Sequence, residues 1–500
     1  MRIAKTLKKR LVKWLLDPNV VKEIEFPVIK VGKNTVIVLP VGVKFSPQTE
    51  DPTPQQGLMW YRSDLDKWRY SPDGTTIKDL VVPGKSILEM TAEELASKIE
   101  AQTDIDYLAL LFENVFSVDL SAKIFSKMID LYGDTGVDKI SRILSNDNIS
   151  ALKAIKILKS PYLSADYTQR ILYKMAENKY IKGIAKILSG DAEETVMDAD
   201  KTYSGVNRFY VLDLNGHVYT ADGQPHVIIA YEIKDSVGTG SIVKTATGGA
   251  GGSTGTPPGK GGNGGGGLII LAYKINVPTI SADGEDGENG DINDVVEVRG
   301  GNGGVGNMIV VSTDTPGEGG KGGSSTGVDN HGNGGGGGNG YIADPYGIGG
   351  SITLTTYDTL YELYLDVVKG IIDWWIVNVT GKTPTTTKDI PDIKGAGGGG
   401  GSEADGAFDC GGGGGSGGQV IIIADNVTIS TITAKGGKGG NGGNEGSYDS
   451  GGGGGGGGIV YVAYVTNASI STIDVSGGTG GSGDYAGDNG TAGTYRVEAI

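Results

Sequence analysis

Glycine laid out in triplets constrains this chain more than any other feature. The tract at 436–444 reads GGK-GGN-GGN, a period of three. A backbone with three residues per turn sets every third side chain along one edge and leaves the other two edges bare. Bare edges let neighbouring backbones come close enough to hydrogen-bond to each other. Ordering so many glycines is entropically costly, and only a lattice of such contacts could offset it. The alternative is a flexible linker. Two features favour order: the triplet register itself, and hydrophobic strands that return at roughly 40-residue intervals, the length of a structural repeat.

The glycines are not spread evenly. Of 89, only 9 lie in residues 1–200 and 80 in residues 201–500. Charge divides at the same place. Residues 1–200 hold 28 Lys+Arg and 28 Asp+Glu, and residues 201–500 hold 15 and 31, so the net −16 belongs to the glycine-rich part. An acidic region of this kind repels phosphate, which argues against a nucleic-acid partner. The single cysteine, Cys410, rules out an internal disulfide framework and a cysteine-rich metal site. The three histidines, His217, His226 and His331, are far apart in sequence and leave little from which to build a catalytic centre. The balance favours a structural or binding protein over an enzyme, with no cofactor.

The repeat combines a glycine run, a strand ending in Ala, a second short strand and more glycine triplets. GGQVIIIADNVTISTITAKGGKGGNGG (417–443) matches GGIVYVAYVTNASISTIDVSGGTGGSG (457–483) with Ala424 set against Ala463. Residues 266–290 form a third copy on Ala272, and residues 226–252 a fourth on Ala230. Residues 307–311 and 351–357 are candidate degenerate copies. Val420–Ile423 and Ile459–Val462 are unbroken apolar runs, the composition of strands buried on both faces. A helical pattern at 358–377 (Leu360, Leu363, Val367, Ile371, Trp374, Trp375) interrupts the repeats and either packs on them or joins subunits.

The first 200 residues read differently. Residues 1–17 form a basic amphipathic helix with Ile3, Leu7, Leu11, Trp14 and Leu15 on one face. It either packs on its own domain or anchors to a partner or membrane surface, and Leu7, Leu11, Trp14 and Leu15 are the candidate assembly anchor. Its apolar run is too short for a secretory signal, and no segment has the roughly 18 apolar residues of a membrane span. Residues 18–90 alternate like a small β domain. Within them GLMWYRSDLDKWRYSPDGT (57–75) sets strands at 59–61 and 68–70 around a turn at Asp64 and Asp66. Residues 91–200 change to helical period. Thr91-Ala-Glu-Glu94 is a capping box. Apolar stripes follow at Leu95–Ile99, Ile124–Met128–Leu131, Ile140–Ile143–Leu144, Leu152–Ile155–Leu158, Ile171–Leu172–Met175 and Ile181–Ile184–Ile187. Gly133 is expected to end its helix in the left-handed conformation. Helices this short must pack into one bundle, with the lysines on their outward faces a solvated surface.

The hairpin at 57–75 resembles one found in bacteriophage tail and fibre proteins. Residues 226–500, with their alternating glycine tracts and strands, resemble the distal adhesins of tailed-phage fibres. That resemblance implies polyglycine II helices packed in a sandwich, with loops at the tip that recognise host surface molecules. It also implies an N-terminal part bound to other virion structural proteins. The resemblance is architectural and carries over no receptor-binding positions. The sequence itself nominates three loops that pair an aromatic with acids and small polar residues: 402–410, 444–450 and 483–489. Phe408, Tyr448 and Tyr485 are the candidate receptor-binding residues, suited to a host glycan or protein; equally, each ring could cap a glycine bundle.

Other motifs carry less. GTPPGKGG (255–262) lacks the glycine spacing and hydroxyl residue of a phosphate loop. The run DGEDGENGDIND (283–294) offers calcium-type oxygen ligands or a solvated acidic loop. Glycosylation sequons fall at Asn148, Asn378, Asn426, Asn467 and Asn489. The expected fold is a multidomain α+β chain: a small β domain (18–90), a short-helix bundle (91–200), and glycine-rich β repeats with polyglycine II helices (201–500). The expected function is that of a homo-oligomeric virion fibre or spike, with a cell-envelope scaffold or a carbohydrate-active enzyme as alternatives.

Overall fold

The computed structural model describes residues 91–500 except 116, 249, 252–258, 291–301, 323–347, 400, 402–409 and 444–448; of the first 90 residues it describes 59–62, 67–70 and 78–80. The chain is mixed α/β, in two compact units, residues 1–95 and 96–500. The anchor residues Leu7, Leu11, Trp14 and Leu15 lie outside the described residues.

In the first unit, β1 (Met59–Arg62), β2 (Lys67–Tyr70) and β3 (Lys78–Leu80) form an antiparallel sheet in that order. Met59 lies opposite Tyr70 and Tyr61 opposite Trp68, the antiparallel pairing of the two aromatic strands that their spacing predicts.

Seven helices follow: α1 (Ala92–Ala101), α2 (Ile105–Asn114), α3 (Val118–Tyr132), α4 (Asp134–Ser145), α5 (Ala151–Lys159), α6 (Ala165–Glu177) and α7 (Ile181–Ser189). The capping box forms, with Thr91 N–H donating to Glu94 and Glu94 N–H to Thr91 Oγ1. Ser117, Ser150 and Ser164 cap α3, α5 and α6 through their side-chain oxygens alone, each accepting from the N–H three residues on. The predicted stripes supply the core: Ile124, Met128, Ile140, Ile155, Leu172 and Ile184 are all fully buried. Leu131 and Leu152, expected in it, are exposed, because each sits at the edge of its helix's apolar stripe. Gly133 does end α3 with a positive φ, but at φ 53° and ψ −124° it lies outside the left-handed helical well. One lysine is turned inward. Lys186 is buried, its ammonium donating to the Asn146 and Ile149 carbonyls past the end of α4.

The glycine-rich part builds one sheet of β4 (Glu194–Val196), β5 (Lys201–Asp213), β6 (Val218–Lys234), β7 (Ser241–Lys244), β8 (Gly267–Ser281), β11 (Gln419–Thr433), β12 (Ile459–Asp474) and β13 (Thr494–Ala499). Strand order follows chain order and every pairing is parallel. Straight, the 15 residues of β8 would span about 50 Å. Yet the carbonyl of Ala282, just past its end, accepts a hydrogen bond from Gly418 and lies beside Gly265, just before its start. The strand therefore folds back on itself. Its pairing with β11 lapses at Tyr273 opposite Asp425 and again at Pro278 opposite Ser430, which marks the corners. Each long strand is thus a coil around an apolar interior, where Leu268, Ile270, Ile275 and Ile280 meet Ile422 and Ile432.

Alternation puts Ile269, Leu271, Ile421 and Ile423 on the opposite face, where α7 packs across β5, β6, β8 and β11. Both faces are buried, as the unbroken apolar runs predict. The interrupting helix α8 (Leu360–Trp375) packs on α6, where Asp373 accepts from Gln169 Nε2 at 2.7 Å and Tyr173 Oη at 2.6 Å.

Register confirms one alignment and corrects another. Ala230 pairs with Ala272 and Ala272 with Ala424. Ala424, however, lies opposite Tyr464 rather than Ala463. The glycine leads superpose without offset, and the extra residue of β12 is taken up after Tyr464 at the corner, where a bulge disturbs no core side chain. The candidate degenerate copies, β9 (Gly306–Val311) and β10 (Ile352–Tyr357), pair with each other in a separate parallel sheet.

Candidate recognition surface at the end of the glycine array

Between the coils, glycine segments run out and back beside one another. Along 411–417 the backbone donors visit three neighbours in rotation. Gly411, Gly414 and Gly417 donate to Ser450, Gly453 and Gly456; Gly412 and Gly415 to Glu288 and Glu285; Gly413 and Ser416 to Gly399 and Ala396. Each neighbour is met at every third residue, at 2.8–2.9 Å. At many of the glycine positions no side chain fits between the segments. A Cβ on Gly415 would stand 2.0 Å from the Asn263 oxygen, and one on Gly455 2.0 Å from the Gly415 oxygen.

The acidic run joins this array. Oδ1 of Asp283, Asp286 and Asn289, three residues apart, accepts from the backbone N–H of Lys435, Lys438 and Asn441, which are also three apart. The oxygens that suggested calcium are thus acceptors for the adjoining segment. Among the described residues, no group of three or more His, Cys, Asp or Glu side chains is placed to hold a metal ion.

The described ends of the three nominated loops come together at one end of the array. Gly411, after 402–410, donates to the Ser450 carbonyl at 2.9 Å. Ser450 bridges to Tyr485; Tyr485 N–H donates to the Asp449 oxygen at 3.0 Å, and its carbonyl accepts from Gly451 at 2.8 Å. Gly442, before 444–450, donates to Ser482, before 483–489. Tyr485 is half-buried in this position; Phe408 and Tyr448 lie outside the described residues. Cys410 is buried, its carbonyl accepting from Gly259.

The sequons are scattered instead of clustered at that end. Asn148 is exposed after α4, and Asn378 is exposed in the π-helical turn after α8, its amide donating to the Trp374 carbonyl. Asn426 and Asn467 face each other in register on β11 and β12. Asn489 accepts from Gly480 N–H within the array.

Two structural contacts had little sequence signal. Gln419, fully buried, exchanges hydrogen bonds with both backbone groups of Ile309, at 2.8 and 2.7 Å, and so ties β9 to β11 as another strand would. Tyr461 Oη accepts from Val311 N–H and donates to Asp314, and burial pushes its hydroxyl pKa up. The one available hint was a lone amide heading an otherwise apolar run.

A groove of about 620 Å³ lies apart from the array, lined by Pro225, Trp374, Val377, Asn378 and Asp389 among others. Near it, His226 is buried between the Asp222 carbonyl at Nδ1 and Tyr219 Oη at Nε2; burial lowers its pKa to about 4. Lys244, also buried, donates to Thr247 Oγ1 at 2.8 Å, and burial lowers its pKa to about 8.

No known protein family, curated protein or solved structure matches this chain. Among the described residues, no helix is long and apolar enough to cross a membrane.

Proposed function

We propose that this chain is a non-enzymatic structural protein of a virion surface, a fibre or spike, whose glycine-rich part is a stiff support for a recognition tip. In this reading the glycine segments are polyglycine II helices. The support for it is the donor rotation along 411–417, which is what a helix of three residues per turn does when surrounded by like neighbours. The N-terminal region attaches the protein to other virion components, and the loops at 402–410, 444–450 and 483–489 bind a host glycan or protein.

The observation that carries the recognition role is the meeting of Gly411, Ser450 and Tyr485. A mutually bonded backbone holds the described ends of loops remote in sequence together, so binding there loses no affinity to scaffold motion. Tyr485 also favours the second reading of the rings, as caps of the array, because its own backbone is bonded to both neighbours of Ser450 in a parallel bridge.

The test is binding of the labelled full chain to a microarray of cell-surface glycans and to host-cell membrane proteins, against Phe408→Ala, Tyr448→Ala and Tyr485→Ala. Recognition predicts at least roughly tenfold weaker binding at an unchanged thermal midpoint. Unchanged binding with a lowered midpoint would leave the rings as caps and end the receptor reading.

A further inference from the structure

The sheet of the coils runs from β4 at one edge to β13 at the other. Among the described residues no strand pairs with the outer edge of β13. Tyr495, Val497 and Ala499 lie opposite Val460, Val462 and Tyr464, so they continue the stripe that lines the coil interior. Val460 and Val462 are fully buried, whereas Tyr495 is 55% and Val497 37% exposed. An interior stripe that ends in water is what repeat proteins normally cover with a cap, and a bare edge is a template for another strand.

The edge carries its own specification. Ile500 N–H donates inward to the Tyr464 carbonyl at 2.9 Å. By strand alternation, the N–H and C=O of Tyr495, Val497 and Ala499 therefore point outward. An antiparallel copy of the same strand, centred on Val497, sets Val497 against Val497, Tyr495 against Ala499, and Arg496 against Glu498. The first two are then hydrogen-bonded pairs that exchange both backbone bonds. Arg496 and Glu498 fall on the closer, non-hydrogen-bonded positions, where opposite charges attract. Arg496 is held in place by Asp314 and already reaches its own Glu498 at 3.2 Å. The sequence Tyr-Arg-Val-Glu-Ala is thus self-complementary in backbone, apolar face and charge.

We propose that β13 is a self-association edge, and that a second copy of this chain pairs with it antiparallel about Val497 to close the open end of both coil stacks. The pairing is isologous, so it stops at the dimer instead of growing into a filament. It is independent of whether the loops bind a receptor.

The test is the mass of the full chain in solution by light scattering and sedimentation, over a concentration series reaching tens of micromolar. The expected result is a dimer. Val497→Pro removes an outward N–H without touching the β12 ladder, and Glu498→Arg places like charges opposite each other. Each should weaken the dimer by roughly tenfold or more, with circular dichroism and thermal midpoint of the dilute protein unchanged. Should Val497→Pro disturb the strand, Glu498→Arg still decides. A monomeric wild type would overturn the proposal, whether the edge is then bare or covered by another part of the same chain. So would a dimer that tolerates Glu498→Arg, or assembly into filaments.

Discussion

The coils and the glycine array solve one problem in opposite ways. Both lay chain segments side by side, and both must offset the entropy of ordering a backbone. In the coils, side chains do so: Ile270, Ile275 and Ile422 are fully buried, and removing apolar volume is what should hurt. In the array the backbone itself is the contact, Gly455 against Gly415 and Gly439 against Gly452, and adding volume is what should hurt. The lesson is that a core can consist of peptide groups alone, provided that every third residue finds the same neighbour.

The largest effect should come from the coils. Ile270→Ala is expected to lower stability by about 3–4 kcal/mol, measured by urea unfolding. A loss under about 1 kcal/mol would mean the interior is loosely filled. In the array the sign of Gly455→Ala is decisive. Its new methyl would lie 2.0 Å from a backbone oxygen, so a loss of about 2–3 kcal/mol is expected. In a flexible tract the same change would be neutral or slightly stabilising, because it restricts the unfolded chain. Lys438→Ala in the same array, whose side chain points out, serves as the near-zero reference. A similar response from both variants would erase the contrast between array and linker.

Gln419→Leu should cost about 2 kcal/mol, because it leaves both backbone groups of Ile309 buried without their partner. An unchanged midpoint would show that β9 does not depend on that amide.

Acid sensitivity provides a further test. His226 has its folded pKa near 4, below the ordinary 6.5. Between those values the unfolded chain takes up a proton that the folded chain refuses, so stability falls as pH drops from about 6.5 towards 4. His226→Gln should flatten that part of the thermal-midpoint curve. Parallel curves for the two proteins would assign the acid sensitivity elsewhere.

Much of this was legible in the sequence, and the reasons are local. The capping box at Thr91–Glu94, the stripe at Ile181–Ile187 and the run at Val420–Ile423 are periodic signals, and each folds as its period demands. The interrupting helix was visible for the same reason. What escaped were facts of register and of partners far away in the chain. The set of Ala424 against Tyr464 depends on where a corner absorbs one residue, which no local pattern encodes. Asp283, Asp286 and Asn289 looked like ion ligands because their partners, the amides of Lys435, Lys438 and Asn441, lie about 150 residues away in sequence. Of the nominated rings, only Tyr485 falls within the described residues, and the bond from Gly411 to Ser450 that brings its loop beside the others is again long-range.

Amide hydrogen exchange of the intact chain, read over 411–418 and 451–458, tests the central claim most directly. Mutually bonded glycine segments predict protection there comparable to the coil strands, roughly a thousandfold or more slower than free peptide. Exchange at the free-peptide rate across both stretches, with β11 and β12 still protected, would contradict it.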